Sequence, residues 1–165
     1  MRNFQQTEVE MKGQVFIRID DRLLHGQVVV SWIPYLKANE VVIADDEYAN
    51  DEFMCELIKS SAPEDILVYV KTIDKTVDFL NEEDNGKSIL ILLRSIEDAK
   101  NISERTKVSN INIGGVGAAS GRKRYYNSIH LSDDELNILK DMVKQNINVE
   151  IRMLPKDKAV LIYGN

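Results

Sequence analysis

The part of this sequence with the clearest chemical potential is a cluster of charged residues around one histidine. Residues 18–27, with the sequence RIDDRLLHGQ, follow directly on the apolar residues 15–17. The chain contains two histidines, and one of them, His25, belongs to this cluster. A histidine side chain can hold a proton, a metal ion or a phosphoryl group. The residues around His25 indicate which of the three is favoured.

The charged neighbours of His25 favour a phosphoryl group. Arg18 and Arg22 carry guanidinium groups, whose planar set of N–H donors matches the oxygens of a phosphate. Asp20 or Asp21 is placed to accept the ring N–H, which would fix the tautomer and leave the other nitrogen as the nucleophile. Catalysis of phosphoryl transfer consists mainly of positioning and charge neutralisation, so these residue types suffice without a metal.

A helical pattern opens directly after His25. The first N–H groups of a helix have no partner within the helix and lie at the positive end of its dipole, so they favour an anion. The apolar residues before the cluster predict a strand, and ligands of open α/β sheets bind at the carboxyl ends of strands. The residues predicted to bind phosphate or to position the loop are Arg18, Asp20, Arg22, Gly26 and Gln27.

Other functions fit the sequence less well than phosphoryl transfer. A metal site is disfavoured because the chain has no H-x-x-x-H or C-x-x-C spacing and because arginines flank His25. Residues 114–121 are rich in glycine, but a Walker-type Gly-Lys-Ser/Thr sequence is absent, so a mobile surface loop is favoured over a nucleotide site. Those residues leave the same sheet edge as His25, where they would border the same site or a docking surface. The main alternative is a non-catalytic regulatory module that binds an anion or a partner protein at the loop of His25.

Four further features have mainly structural interpretations. Residues 45–47, Asp-Asp-Glu, follow the second strand, where entry into a helix is favoured over Mg²⁺ binding. Cys55 lies in an apolar helical stripe and is predicted to be buried and unreactive. His130 directly precedes a helix start and is predicted to be structural. The basic residues 122–124 form either a solvated turn or a binding patch.

The charged cluster requires a scaffold, and the rest of the sequence predicts alternating strands and helices. Short apolar runs predict strands at residues 15–20, 40–44, 66–70, 88–94, 110–113 and 148–153, with a further short segment at residues 127–131. Helices are predicted at residues 26–36, 50–61, 73–81, 96–105 and 132–145. This pattern indicates an α/β fold: an open, mostly parallel β-sheet with helices on both faces, in a single domain. Residues 1–12 are expected to form a loose N-terminal extension, and residues 13–165 the domain.

Two local signals refine the predicted helices. Ser132 and Glu135 form a capping box at the start of the last helix. Pro34 is expected to end or kink the first helix, because its ring removes an N–H donor and clashes with the preceding turn.

The composition excludes several classes of protein. The chain has 165 residues, of which 44% are hydrophobic and 29% charged, as in a globular domain with a core. Its net charge of −6 argues against duplex nucleic acid as a general partner. The longest apolar run, residues 89–93, is too short to cross a bilayer, and a single cysteine fits a reducing cytoplasm.

The charged cluster also resembles a known family. Residues 18–28, RIDDRLLHGQV, are similar to the phosphorylation loop of the IIB proteins in the mannose-fructose-sorbose class of the bacterial phosphotransferase system. The resemblance runs from about Val15 to the C terminus. Its further segments are VVIADDE (residues 41–47), INIGG (residues 111–115), GRK (residues 121–123) and VEIR (residues 149–152).

The resemblance implies a fold, a reaction and partners. The family has an open, mostly parallel sheet with helices on both faces. His25 would accept a phosphoryl group on Nδ1 from the phosphohistidine of a IIA protein and pass it to a sugar at the membrane subunits IIC–IID. Arg18, Asp20 and Arg22 match the charged positions of the family loop and would orient the histidine and steady the phosphate, whereas His130 inherits no role. The resemblance further implies a cytoplasmic protein, peripherally associated with the membrane transporter, with no cofactor and with a homodimer among its assembly states.

Overall fold

One β-sheet forms the centre of the fold. The computed structural model describes residues 13–82 and 86–165, and the predicted extension over residues 1–12 lies outside them. Within the described residues, the strands are β1 (Val15–Asp20), β2 (Glu40–Ala44), β3 (Leu67–Lys71), β4 (Ile89–Leu93), β5 (Asn110–Gly115), β6 (Lys123–Tyr126), β7 (Ile129–Leu131), β8 (Asn148–Ile151) and β9 (Val160–Leu161).

The order of the strands confirms the predicted mostly parallel sheet. The main sheet has the order β3-β2-β4-β1-β5-β8-β9, and each neighbouring pair from β3 to β8 is parallel. The last pair, β8 with β9, is antiparallel, and β6 and β7 form a separate antiparallel hairpin. Within residues 13–82 and 86–165, no helix has the length and apolar character that a membrane span requires.

Helices lie on both faces of the sheet, as predicted. The first helix starts at Gly26, has π-helical turns over Val28–Trp32 and continues as α1 (Ile33–Leu36). The other helices within the described residues are α2 (Asp46–Ala49), α3 (Glu52–Ser60), α4 (Ile73–Asn81), α5 (Ile96–Arg105) and α6 (Asp133–Lys144).

The core is divided between the two faces because side chains alternate along a strand. On β2, Val41 and Ile43 pack with the first helix, whereas Val42 and Ala44 pack on the opposite face with α4, α5 and α6. Both sides of the central strands are therefore buried, which explains why these strands are continuous apolar runs.

The topology places a crevice at the carboxyl end of β1. The connection from β1 crosses one face of the sheet, whereas the helices that follow β4 and β5 pack on the other face. Where neighbouring strands send their connections to opposite faces, the loops separate and leave room for a ligand. The loop that carries His25 starts at this point.

The structure corrects some predicted elements. The helix predicted at residues 50–61 is α3, which begins at Glu52 because Asp51 caps it by accepting the N–H of Met54 at 3.1 Å, and a separate short helix, α2, precedes it. Strands β6 and β9 are not among the predicted elements. Both are short and pair antiparallel with a neighbour, so their hydrogen bonds depend on partners that the local pattern does not show.

The two local signals at the helices agree with the structure. Ser132 and Glu135 form the predicted capping box, with the Glu135 N–H donating to Ser132 Oγ at 3.1 Å. Pro34 lies in the first turn of α1, where the π-helical turns change to α-helical ones. The helix then ends at Lys37, whose φ of 49° lies in the left-handed region.

Candidate active site

The candidate site lies where β1 ends and the first helix begins. The chain turns after Asp20, and the Leu23 N–H donates to the Asp20 carbonyl oxygen at 2.9 Å. Leu23 has a φ of 56°, a left-handed value that is uncommon for residues with side chains. The Val29 N–H donates to the His25 carbonyl oxygen at 3.0 Å and closes the first helical turn. His25 therefore lies directly before the first turn of a helix.

The carboxylate of Asp20 is the centre of the hydrogen-bond network. It is fully buried, and its Oδ2 lies 3.1 Å from Arg18 Nη2, 3.0 Å from Arg22 Nη2 and 2.9 Å from His25 Nε2. Its Oδ1 accepts from the backbone N–H and from Nε of Arg22, at 3.1 and 3.0 Å. Burial raises the pKa of Asp20, but the hydrogen bonds from Arg22 and His25 and the charge of Arg18 outweigh it, so the pKa falls below its ordinary value of 3.8. Asp20 is therefore ionised at neutral pH.

This ionised carboxylate fixes the tautomer of His25. A carboxylate accepts hydrogen bonds only, so the proton of the neutral ring lies on Nε2 and the lone pair on Nδ1. Within the described residues Nδ1 has no hydrogen-bond partner, and the side chain of His25 is 17% exposed. The sequence left open which aspartate holds the ring. In the structure it is Asp20, whereas Asp21 accepts the N–H of Gly117 at 2.8 Å.

Arg18 supports Asp20 from within the protein. Its side chain is fully buried, and Nη1 donates to Asn112 Oδ1 and, at 3.0 Å, to the carbonyl oxygen of Arg152. Nη2 donates to Asp20 and, at 3.1 Å, to the carbonyl oxygen of Met153. Burial lowers the pKa of Arg18 to about 10, against the raising effect of Asp20. Because both Nη atoms donate to protein acceptors, Arg18 positions the loop from the buried side of the site.

Two buried side chains that the sequence did not indicate, Asn112 and Trp32, complete this support. Asn112 is fully buried on β5, opposite Arg18 in the register of the two strands. Trp32 is also fully buried, and its Nε1 donates to the carbonyl oxygen of Met153 at 2.8 Å. Its ring centroid lies 4.8 Å from Arg18 Cζ, a cation–π distance. A polar Asn112 between two isoleucines was the one signal of this arrangement in the sequence.

Arg22 differs from Arg18 in its exposure. Its side chain is 43% exposed, and its Nε and Nη2 hold Asp20 from the solvent side. Nη2 also lies 3.5 Å from Gln27 Oε1, at the outer limit of a hydrogen bond. The hydrogen bond to Asp20 raises the pKa of Arg22. Among the described residues no acceptor contacts its Nη1, so Arg22 presents a charged, accessible guanidinium beside His25.

The start of the first helix is open. Within the described residues, the N–H groups of Gly26, Gln27 and Val28 have no hydrogen-bond acceptor. Apart from its two chain neighbours and the backbone of its own helix, a Cβ atom placed on Gly26 would meet no atom within 4 Å. The helix start next to His25 therefore combines free donors with free space, the two requirements of an anion site.

The glycine-rich segment borders the same site. The Asp21 N–H donates to the carbonyl oxygen of Gly115 at 2.9 Å, and the Asp21 carboxylate accepts the N–H of Gly117. The prediction of a surface loop over residues 114–121 is wrong for its first part, because Gly114 and Gly115 belong to β5 and Val116 is buried. These residues pack against the charged cluster, which the local sequence could not show.

The other candidate residues lie outside this network. Asp45 caps α2 by accepting the Tyr48 N–H at 3.0 Å, which confirms the helix-entry role. His130 Nδ1 lies 3.1 Å from the carbonyl oxygen of Ser128, within the hairpin. The prediction of a buried Cys55 is wrong: Cys55 is partly exposed because α3 covers the edge strand β3 and leaves much of its own surface in solvent.

A cleft of about 520 Å³ adjoins the site at the ends of β2 and β4. Its charged lining comprises Asp21, Asp45, Asp46, Glu47, Arg94, Glu97, Asp98, Arg122 and Glu135. Burial and the neighbouring carboxylates raise the pKa of Asp98. Arg122 is paired with Glu135 at 2.8 Å and donates to the carbonyl oxygen of Gly117 at 3.1 Å. Among the described residues, no three His, Cys, Asp or Glu side chains are grouped so that they could hold a metal ion.

Comparison with known proteins identifies a family. Residues 14–163 match the family described as the PTS system sorbose subfamily IIB component. The chain is 26% identical to the sorbose-specific EIIB component of Klebsiella pneumoniae, over 88% of this chain and 90% of that protein.

Solved structures agree with this match. The crystal structure of the IIBSor domain of the sorbose permease from Klebsiella pneumoniae has a TM-score of 0.83 and 25% identity, with 89% of this chain and 92% of that chain covered. The crystal structure of manxB from Thermoanaerobacter tengcongensis has a TM-score of 0.80 and 31% identity, with 90% and 92% covered. The chain therefore belongs to the sorbose subfamily of IIB components, the phosphocarrier transferases of the sugar phosphotransferase system.

Proposed function

We propose that His25 is the residue of this IIB component that carries the phosphoryl group, with Nδ1 as the reacting atom. The group arrives from the phosphohistidine of a IIA protein and leaves to a sugar taken up through the membrane subunits IIC–IID. The observation that carries this proposal is the 2.9 Å contact between His25 Nε2 and the ionised Asp20. It leaves the lone pair on Nδ1, the nitrogen that the resemblance to the family assigns to the reaction.

Each transfer is an in-line displacement at phosphorus. In the first, the Nδ1 lone pair attacks the phosphorus of the donor phosphohistidine. A new N–P bond forms as the donor N–P bond breaks, and the proton on Nε2 stays in place. In the second, a sugar hydroxyl oxygen attacks, the bond from phosphorus to Nδ1 breaks, and its electron pair returns to the ring while the hydroxyl proton passes to water. Asp20 stabilises the positive character of the ring between the two steps.

The charge on the phosphoryl oxygens requires cationic partners. Arg22 supplies an accessible guanidinium, and the free N–H groups of Gly26 and Gln27 supply donors at the positive end of a helix dipole. Arg18 lies on the buried side of the site, where it keeps Asp20 ionised and in place. This division supports a site that needs no metal, in which buried residues orient His25 and exposed ones hold the phosphate.

The proposal also covers where the protein acts in the cell and the order in which it contacts its partner proteins. A IIB component exchanges its phosphoryl group with proteins, so the surface around His25 docks the IIA protein and the membrane subunits in turn. We place this exchange in the cytoplasm, with the protein peripherally associated with the transporter. Support comes from the accessible Arg22 and the open helix start, which leave the site free for a second protein.

A homodimer is a further expectation for this chain. Phe53 and Leu57 on α3 are 73% and 50% exposed, and Leu67 on the neighbouring edge strand β3 is 57% exposed. Exposed apolar groups at one sheet edge favour association. Sedimentation velocity of the wild type and of Phe53→Lys tests this: a dimer that the substitution dissociates supports it, and a wild-type monomer contradicts it.

Intact-mass spectrometry tests the phosphocarrier proposal. The protein is incubated with phosphoenolpyruvate, the two general phosphotransferase proteins and a mannose-class IIA protein, with and without acid treatment. His25→Ala is compared with His130→Ala, which removes the other histidine of the chain and serves as the matched control.

The outcomes separate transfer from simple binding. One acid-labile phosphoryl group is expected on the wild type and on His130→Ala, and none on folded His25→Ala. A phosphoryl group that persists on His25→Ala would overturn the assignment. No added mass on the folded wild type would favour the alternative, a regulatory module that binds an anion or partner at this loop.

A further inference from the structure

The glycine pair at the end of β5 packs directly against the charged cluster. A Cβ atom built on Gly114 would lie 1.9 Å from Arg18 Cζ. One built on Gly115 would lie 2.8 Å from Asp20 Oδ1 and 3.2 Å from Asp20 Cγ. Outside their own residue and its chain neighbours, real Cβ atoms essentially never come closer than 3.0 Å to a heavy atom. The space that two side chains would fill is therefore occupied by Arg18 and Asp20.

The pairing of β1 with β5 is irregular at the same place. Ile19 pairs with Ile113, but the next residue, Asp20, pairs with Gly115, so Gly114 is an extra residue in β5. Such a bulge bends the strand and re-aims the side chains beside it, and bulges are enriched next to active sites. Here Asp20 lies opposite the bulge, and beyond it the Asp21 N–H donates to the carbonyl oxygen of Gly115 at 2.9 Å.

We infer that Gly115 is a positioning residue for phosphoryl transfer, which acts through Asp20. By leaving room for the carboxylate, Gly115 lets Asp20 reach Nε2 of His25 and so sets Nδ1 as the nucleophilic nitrogen. The inference rests on the proposed role of His25. It gives Gly115, which belongs to a segment that resembles a nucleotide loop in the sequence, a function in the same reaction.

A methyl group at residue 115 moves the carboxylate that holds the ring. The contact at 2.8 Å is shorter than Cβ atoms allow, and the nearest atoms belong to Asp20. Asp20 Oδ1 is fixed by two hydrogen bonds from Arg22, so the carboxylate cannot move without weakening the network that includes His25. When Nε2 loses its acceptor, the neutral ring distributes its proton between both nitrogens. Fewer molecules then have a lone pair on Nδ1.

A double-mutant cycle tests this coupling. Phosphoryl transfer from the phosphorylated IIA protein is timed in a single turnover for the wild type, Gly115→Ala, Asp20→Ala and the double variant. The tautomer of His25 is read from ¹⁵N NMR in each. Gly164→Ala is the control, because its Cβ would meet the flexible Lys144 side chain, at 3.0 Å, rather than any residue of the site.

Gly115→Ala is expected to slow transfer between about tenfold and a hundredfold, the scale of a small misplacement at a reacting group. It is also expected to shift the ¹⁵N signals toward a mixture of tautomers. In the Asp20→Ala background the same substitution is expected to have no further effect, since the carboxylate it displaces is absent. Gly164→Ala is expected to match the wild type in both readouts.

The outcomes distinguish this inference from the proposed function. An unchanged tautomer and rate in folded Gly115→Ala overturns the inference, as does an equal loss in both backgrounds. If Gly115→Ala does not fold, recovery of folding in the double variant supports the coupling through Asp20, and failure of both to fold overturns it. A folded wild type that accepts no phosphoryl group on His25 overturns the proposed function itself.

Discussion

Two strands of the same sheet, β1 and β2, lead into a buried aspartate that binds an arginine, yet the two aspartates provide different chemistry. Asp20 at the end of β1 is fully buried, and Asp45 directly after β2 is 7% exposed. Asp20 binds Arg18 and Arg22, and Asp45 Oδ2 accepts from Arg94 Nε at 2.7 Å. Both lie at the carboxyl edge of one sheet, where ligands of such folds bind.

The difference lies in what else each carboxylate binds. The second oxygen of Asp45 accepts the Tyr48 N–H and so caps α2, and Arg94 lies over the ring of Tyr48 with its Cζ 4.3 Å from the ring centroid. Asp20 instead binds His25, and the helix after it has no side-chain cap. An acidic residue at a strand end thus marks a reactive site when it orients a nucleophile and leaves a helix start open. When it caps the helix itself, the same residue type is structural.

The largest expected effect comes from removing the charge of Asp20. In Asp20→Asn the amide can donate to His25, so the ring tends to the wrong tautomer. Phosphoryl transfer should fall by about a hundredfold or more, as expected when a histidine loses the carboxylate that sets its tautomer. Single-turnover transfer from phosphorylated IIA protein measures this.

Asp45→Ala is the matched substitution at the other strand end. It should lower the free energy of unfolding by about 1 kcal/mol through the lost helix cap, while transfer stays within about twofold of the wild type. A loss of transfer in Asp45→Ala as large as that in Asp20→Asn would remove the distinction between the two regions.

The next effect concerns the arginines of the two regions. Arg22→Ala removes the accessible cation beside His25 and should slow transfer by about tenfold or more. The variant should still fold, but with a lower Tm, because the buried Asp20 loses the hydrogen bonds from Nε and Nη2 of Arg22. Arg94→Ala, which removes the arginine bound to Asp45, should leave the transfer rate unchanged. Equal rates for Arg22→Ala and the wild type would contradict the role of Arg22 in holding the phosphate.

The sequence predicted those parts of the site that lie close together in the chain. Residues 18–27 contain the nucleophile, the exposed cation and the helix start, so residue types and spacing were enough to bring them together. The short apolar runs likewise predicted the central strands, because burial on both faces requires them.

The supporting residues could not be predicted because they come from distant parts of the chain. Asn112 and Met153 reach Arg18 from 94 and 135 positions away. The choice of Asp20 over Asp21 depends on side chains alternating at the strand end, and the role of Gly115 depends on a bulge between two strands. The exposure of Phe53 shows the same limit, since helical spacing predicts an apolar stripe but not the element that covers it.

A smaller effect is expected at acid pH, where the Tm of the wild type approaches that of Asp20→Asn. The pKa of Asp20 is lower in the folded protein than its ordinary 3.8, so its ionised form stabilises the fold above that pH. The contribution is lost as the pH falls through the lowered pKa. The wild type should therefore exceed Asp20→Asn in Tm at pH 6, and the difference should shrink below about pH 4. The pKa of Glu135 is also lowered, but Glu135 is present in both proteins and cancels in the difference. A Tm difference that is constant between pH 6 and pH 3, measured by calorimetry, would contradict an ionised Asp20 in the native state.

The smallest expected effect is that of Gly26→Ala, which should raise the free energy of unfolding but lower the rate of phosphoryl transfer. Gly26 lies in the first turn of an uncapped helix, and a Cβ atom there meets no atom within 4 Å beyond its chain neighbours and its own helix backbone. Gly26→Ala should therefore raise the free energy of unfolding by about 0.5 kcal/mol, because alanine loses less conformational freedom on folding. The same methyl group would occupy the space beside His25 where the phosphoryl oxygens meet the free N–H groups, so transfer should slow by a few-fold. Denaturant unfolding and single-turnover transfer measure the two effects. If transfer is unchanged while stability rises, the open helix start does not receive the phosphate, and the contrast with the capped helix after Asp45 has no chemical consequence.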